Sequence, residues 1–256
     1  MNFTPKHRLS LTTSALCFGL LLLSSPSAQA GSVSDFAGPN VTKNQLDIEY
    51  NGTRTDDEGE NHNSQAHELA TAYGITDVFA IGGGIQFADS RGDSFHTDGI
   101  FAEATYQFTD QEDGYWLSSA ILGEYGYSLS GDADALEASL LLQHESEQFD
   151  TIINLVVGRE TGEDSSEDLS LESRVSSRYK LHNHFNPGIE WHSAWGSNRD
   201  IPGISEQEHF IGPAAYGELF PLGSSAIGYE VAYVFGITDA SEDGVLRVKL
   251  EYGLHF

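Results

Sequence analysis

One cysteine, one methionine and only twelve lysines and arginines stand among 256 residues, and each scarcity excludes something. Cys17 lies inside an N-terminal apolar stretch that reads as a signal peptide, so the mature chain is expected to hold no cysteine. Disulfide stapling and thiolate chemistry are then excluded. Twelve basic residues face thirty-nine acidic ones, for a formal net charge of -27. That balance excludes a nucleic-acid partner, whose phosphates are held by Lys and Arg. After residue 30 there is also no apolar run approaching the ~20 residues that a membrane-spanning helix needs. The classes left open are an exported globule and a membrane β-barrel.

The first thirty residues have the layout of an export signal. Lys6 and Arg8 form a basic start, Leu9 to Leu23 an apolar middle, and Ala28-Gln29-Ala30 a small-residue cleavage site. The expected division is therefore a signal peptide over 1–30 and one domain over 31–256. Removing the signal takes away two basic residues and no acidic ones, which leaves the mature chain still more acidic.

What is abundant points to strands. There are 27 glycines and many Tyr and Phe, a composition that suits tight turns and pleated surfaces better than helices. Apolar and polar residues alternate with period two, the strand signature, in twelve segments: 44–53, 65–75, 78–88, 99–108, 115–129, 135–144, 149–160, 169–179, 185–195, 209–219, 226–237 and 246–256. Pro213 makes the tenth the weakest of these. Gly82-Gly83-Gly84 inside the third reads as a close backbone approach in a curved sheet, because no helix follows as a phosphate loop would require.

Connections alternate in length. Acidic, Gly- and Ser-rich loops follow the odd segments at 54–64, 89–98, 130–134, 161–168, 196–208 and 238–244. Tighter turns follow most even ones, at 76–77, 145–148, 180–184 and 220–223. Long loops on one rim and short turns on the other belong to outer-membrane barrels. A soluble sandwich would share the alternation, but not the signal, the even strand count and the loop asymmetry together. The expected fold is all-β, a transmembrane antiparallel up-and-down barrel of about 12 strands in the cell outer membrane.

Charges on the second face of each strand must then point to the lumen, because Arg or Lys facing mid-bilayer lipid costs roughly 2–4 kcal/mol. The expected lumen-lining set contains Asp47, Glu49, Glu103, Glu124, Glu172, Glu190, Glu230 and Glu251, with Glu68 and Glu137 of the same kind. Its basic members are Arg174, Arg178, Arg247 and Lys249, and His192 shares the face of Glu190. Closure should bring the last strand beside the first, so that Arg247 and Lys249 meet Asp47 and Glu49. Such pairs could fill a narrow polar core or line a selective pore.

Sites of other chemistry are weakly indicated. Glu190-Trp191-His192-Ser193 holds a carboxylate, an imidazole and a hydroxyl, but Ser193 points away from His192 on a strand. Ala194 stands where a barrel phospholipase would place its serine. His182 and His184 in a short turn lack a third metal ligand. The acidic loops at Asp56-Asp57-Glu58 and at Glu163-Asp164 with Glu167-Asp168 lack the ordered spacing of a calcium loop. No metal and no cofactor are expected, although divalent cations could bridge these loops to lipopolysaccharide.

The final strand, LRVKLEYGLHF, resembles the assembly signal of bacterial outer-membrane proteins, with Leu250, Tyr252, Leu254 and Phe256 at every second position. The resemblance implies recognition by the barrel assembly machinery, with periplasmic chaperones on the way. The phrases YGITDVFAIGGG at 73–84, EWHSAWG at 190–196, HFIGPAAYG at 209–217 and YEVAYVFGIT at 229–238 resemble the porin family associated with the meta-pathway of phenol degradation. That likeness implies a channel or transporter for small, hydrophobic or aromatic solutes, not an enzyme, and it carries over no functional residue. Two other readings stay open: a non-conducting structural or binding barrel with acidic extracellular loops, and an outer-membrane lipid-modifying hydrolase.

Overall fold

The computed structural model describes residues 33–56, 64–89, 95–162, 165, 166, 168–222 and 225–256. The expected signal peptide and parts of the acidic loops, including Asp57, Glu58, Glu163, Asp164 and Glu167, lie outside the described residues.

Twelve strands close into one antiparallel barrel in which each pairs with its sequence neighbours and the last returns to the first. They are β1 (Gln45–Asp56), β2 (Gln65–Thr76), β3 (Phe79–Asp89), β4 (His96–Thr109), β5 (Ser118–Ser128) and β6 (Asp134–Glu145), followed by β7 (Phe149–Thr161), β8 (Leu169–Tyr179), β9 (Asn186–Ser197), β10 (Glu208–Leu222), β11 (Ser225–Gly236) and β12 (Gly244–His255). Each of the twelve expected segments holds one strand, the fifth starting only at Ser118 because 115–117 belong to the turn before it, and closure leaves no unpaired edge. The turn between β4 and β5 departs from the short-turn pattern: it holds a 3-10 turn at Gln111–Asp113, capped by Asp110.

The outside of the barrel is apolar. Leu69, Ile81, Ile121, Leu155, Trp191, Val231 and Leu246 are all exposed there. Aromatic residues flank this belt, with Tyr106, Phe149, Tyr179 and Phe185 near one rim and Phe95, Tyr127 and Phe235 near the other. Charged and amide side chains are buried inside. A soluble protein would have the two faces reversed, so this is the surface of a membrane barrel, with girdles at the interfaces.

Two local irregularities have physical causes. Pro213 keeps its register against Ile189 of β9, while the ladder toward β11 is interrupted between Ile211 and Ala214. Proline has no N–H to give there, and the neighbouring Gly212 lies so close to the Tyr233 carbonyl that a Cβ would collide with it. The glycine run of β3 has a packing reason too. Gly82 pairs with Glu103, and a Cβ on Gly82 would stand 2.5 Å from Oε1 of that carboxylate.

Candidate functional site in the barrel lumen

The lumen is threaded by the chain's own residues ahead of β1. Val33 to Asn40 form no strand, and Val33, Asp35, Phe36 and Ala37 are each almost wholly buried. A segment without strand partners must satisfy its backbone elsewhere, and here barrel side chains do so. Asn154 of β7 accepts from the Ala37 N–H at 3.0 Å and donates to its carbonyl at 2.8 Å. Gln107 of β4 accepts from the Val41 N–H at 2.8 Å, and Gln143 of β6 accepts from Asn40 Nδ2 at 3.0 Å. Arg174 donates to the Asp35 carbonyl at 3.1 Å.

Asp35 is the electrostatic anchor. Its two carboxylate oxygens accept from Arg247 Nη1 and from Lys249 Nζ, each at 2.7 Å. Phe36 beside it packs on His192, ring centroids 5.1 Å apart, and lies under the Arg247 guanidinium at 5.5 Å, a cation–π placement. Farther toward β1, Val41 and Ala37 join Ala72, Ala80, Ala120, Leu122 and Leu141 in a small apolar cluster that fills the barrel around the segment.

The closure between β12 and β1 is partly corrected by this arrangement. Lys249 does meet Glu49, at 3.0 Å. Arg247 does not meet Asp47, because the register sets it opposite Thr53 and sets Asp47 opposite Gly253. Arg247 instead spans to Glu190 of β9, to Glu230 of β11 at 2.8 Å and to Asp35, while Asp47 accepts from Gln45 at 2.7 Å. Glu251 lies directly opposite Glu49 in that same register. Glu190 and His192 face inward but are fully covered, with His192 Nε2 at 3.3 Å from Glu190 Oε2.

The other basic residues are also committed. Arg174 bonds Glu172 at 3.2 Å, and Arg178 donates to Asp150 through Nε at 3.0 Å. All four lumen cations stand on β8 and β12, and the acids nearest them are their partners. Among the described residues, no ion pair joins a basic side chain to Glu103 or Glu124, on the wall away from these strands, and both oxygens of Glu103 and Oε2 of Glu124 lack a hydrogen-bond partner.

Sequence reasoning missed the threading segment. The signal for it lay in the inward-facing amides Gln107, Gln143 and Asn154, which can bond both donors and acceptors of an unpaired backbone. It also missed the partner of Ser193. That hydroxyl meets Nδ1 of His209 across the β9–β10 ladder at 2.8 Å, and His209 Nε2 meets Gln207 at 3.0 Å. Ser193 and His209 are both buried, so the pair joins strand ends to the 198–207 connection rather than presenting a nucleophile. His182 and His184 sit in the exposed β8–β9 turn, and among the described residues no three His, Cys, Asp or Glu side chains are grouped to hold a metal ion.

These features define a class: a twelve-stranded barrel of outer-membrane type whose polar lumen carries an inward-folded segment. Among solved structures it is similar to an outer-membrane channel of Pseudomonas putida F1 described as COG4313, with TM-score 0.60 and 13% identity over 85% of this chain and 98% of that one. It is also similar to the NanC porin, with TM-score 0.55 and 10% identity over 82% and 100%. A KdgM porin in complex with disordered oligogalacturonate matches at TM-score 0.54 and 13% identity over 82% and 99%. At these identities the likeness is one of fold. No protein-family model matches the chain, and no curated protein matches it in sequence.

Proposed function

We propose that the protein is an outer-membrane channel for small solutes, closed or narrowed at rest by residues 33–41. The observation that carries this reading is a closed barrel whose interior is polar and is filled by a segment bound through side chains rather than strand pairing. A segment held that way can leave without breaking the barrel ladder. The lumen acids would favour cations over anions, and the fold neighbours described as channels and porins support passage as the role. Kinship with the phenol meta-pathway porins is the finer form of this proposal, resting on the strand and turn phrases quoted above.

Planar-bilayer recording tests it. The wild-type barrel should show rare or small openings, and variants with a loosened N-terminal segment larger, cation-preferring ones. Silence in every variant, or a preference for anions, would refute the channel and favour a closed binding barrel.

The same proposal includes export through residues 1–30, contact with outer-membrane lipid and lipopolysaccharide, and assembly read from the last strand. Leu250 and Phe256 are exposed on the outer face, and the Phe256 N–H donates to the Asn44 carbonyl at 3.0 Å. Deleting Phe256 should lower the amount of assembled barrel more than it alters conductance per channel. Heat-modifiable gel migration measures the first quantity, and equal assembly of deletion and wild type would sink this assignment.

A further inference from the structure

The wall formed by β2 to β6 differs from the rest of the lumen. These five strands contain no Lys or Arg, yet they bury Glu68, Glu103, Glu124 and Glu137. The sheet register sets Glu103 directly opposite Glu124, and Glu124 directly opposite Glu137. Like charges in opposed positions destabilise a sheet, and an ionised carboxylate buried without a partner is costly. Three in a row therefore ask for something positive between them.

Among the described residues, no basic side chain is bonded to these three carboxylates. Both carboxylate oxygens of Glu103 lack a hydrogen-bond partner, although the residue is only 6% exposed, and one oxygen each of Glu68, Glu124 and Glu137 is in the same condition. Arg247, Lys249, Arg174 and Arg178 are bonded to Asp35, Glu49, Glu172, Glu190, Glu230 and Asp150. Among the described residues, the hydrogen bond to Glu68 is a long one, 3.4 Å, from Asn51. It also lines a cavity between the threading segment and β1 to β3, bounded by Ser34, Asp35, His67 and Gln86.

We propose that this wall binds organic polycations, linear solutes carrying several ammonium or guanidinium groups. The inference deepens the channel reading and rests on it: Glu103, Glu124 and Glu137 are covered while residues 33–41 fill the lumen, so a polycation reaches them as that segment gives way. Opposed residues on neighbouring strands repeat about every 4.8 Å, so the three glutamates form a row about 10 Å long. That row is too extended for one metal ion, in keeping with the absence of a metal-holding group among the described residues. It suits a chain of cations with short apolar spacers. Each ammonium would donate to one or two carboxylates, and such charge-assisted bonds are the strong ones.

The test is calorimetric titration of the full mature barrel in detergent with spermidine at low salt, beside a neutral polyol. Saturable spermidine binding is expected, weakened by about a thousandfold in the triple variant Glu103→Gln, Glu124→Gln, Glu137→Gln, since each of three lost charge-assisted contacts costs about tenfold. No binding by the wild type would overturn the proposal. Undiminished binding by the triple variant would also overturn it, assigning the binding to surface loops. Should that variant not assemble, carbodiimide labelling of the wild type replaces it: spermidine should protect Glu103, and unprotected labelling refutes the site. Conductance separates the two readings. A barrel that binds through this wall but never conducts upholds the site and refutes the channel, and one that conducts without binding does the reverse.

Discussion

Asp35→Asn should convert a mostly closed barrel into a mostly open one. The aspartate stands between Arg247 and Lys249 at 2.7 Å from each, so the amide removes the one charge that draws both cations to the threading segment. Breaking a buried ion pair by removing one partner costs about 3 kcal/mol or more, and each 1.4 kcal/mol is about tenfold in population. The open fraction is thus expected to rise on the order of a hundredfold. What remains on the segment carries no charge of its own: the bonds from Asn154, Gln107 and Gln143, the bond from Arg174 to the backbone carbonyl of residue 35, and the packing of Phe36. Single-channel recording in planar bilayers reads the open probability directly. A second arm uses the expected lack of cysteine in the mature chain. Cysteines at Ala37 and Asn154, added to the Asp35→Asn barrel and joined by a reducible linker, should close it again until reductant is added. An open probability equal to wild type in Asp35→Asn would refute the role of Asp35.

How far these features can be read from sequence depends on whether they repeat. Strand positions were legible because membrane barrels enforce period two, and even the tenth strand kept it around Pro213. The inward direction of Asp47, Glu49, Arg247 and Lys249 follows from the same alternation. Which inward residue meets which does not, because it depends on register, and a shift of two residues keeps every side chain on its face while changing its partner. That is why Lys249 and Glu49 met as expected and Arg247 and Asp47 did not. The threading segment has no period at all. Val33, Phe36, Ala37 and Val41 are placed by the cavity they fill, and their burial is a property of the closed barrel rather than of their own spacing.

Arg247→Met should cost the barrel about 3–5 kcal/mol, the second large effect. The guanidinium reaches Asp35, Glu190 and Glu230 from a position that is 1% exposed. Methionine fills comparable space but leaves Glu190, which is fully buried, without its main counter-charge. Stability is therefore lost through an orphaned carboxylate more than through a missing contact. The consequence is asymmetric and can be checked by a mutant cycle. Adding Glu190→Gln and Glu230→Gln to Arg247→Met should restore most of the loss, because replacing a whole buried ion cluster is often near neutral. Arg247→Lys should fall between wild type and methionine, since an ammonium keeps the charge but cannot span three carboxylates in a fork. Urea unfolding in micelles, followed by the fluorescence of Trp191 and Trp195 on β9, supplies the free energies. If the triple variant is no more stable than Arg247→Met, the loss comes from packing around Phe36 and not from uncompensated charge.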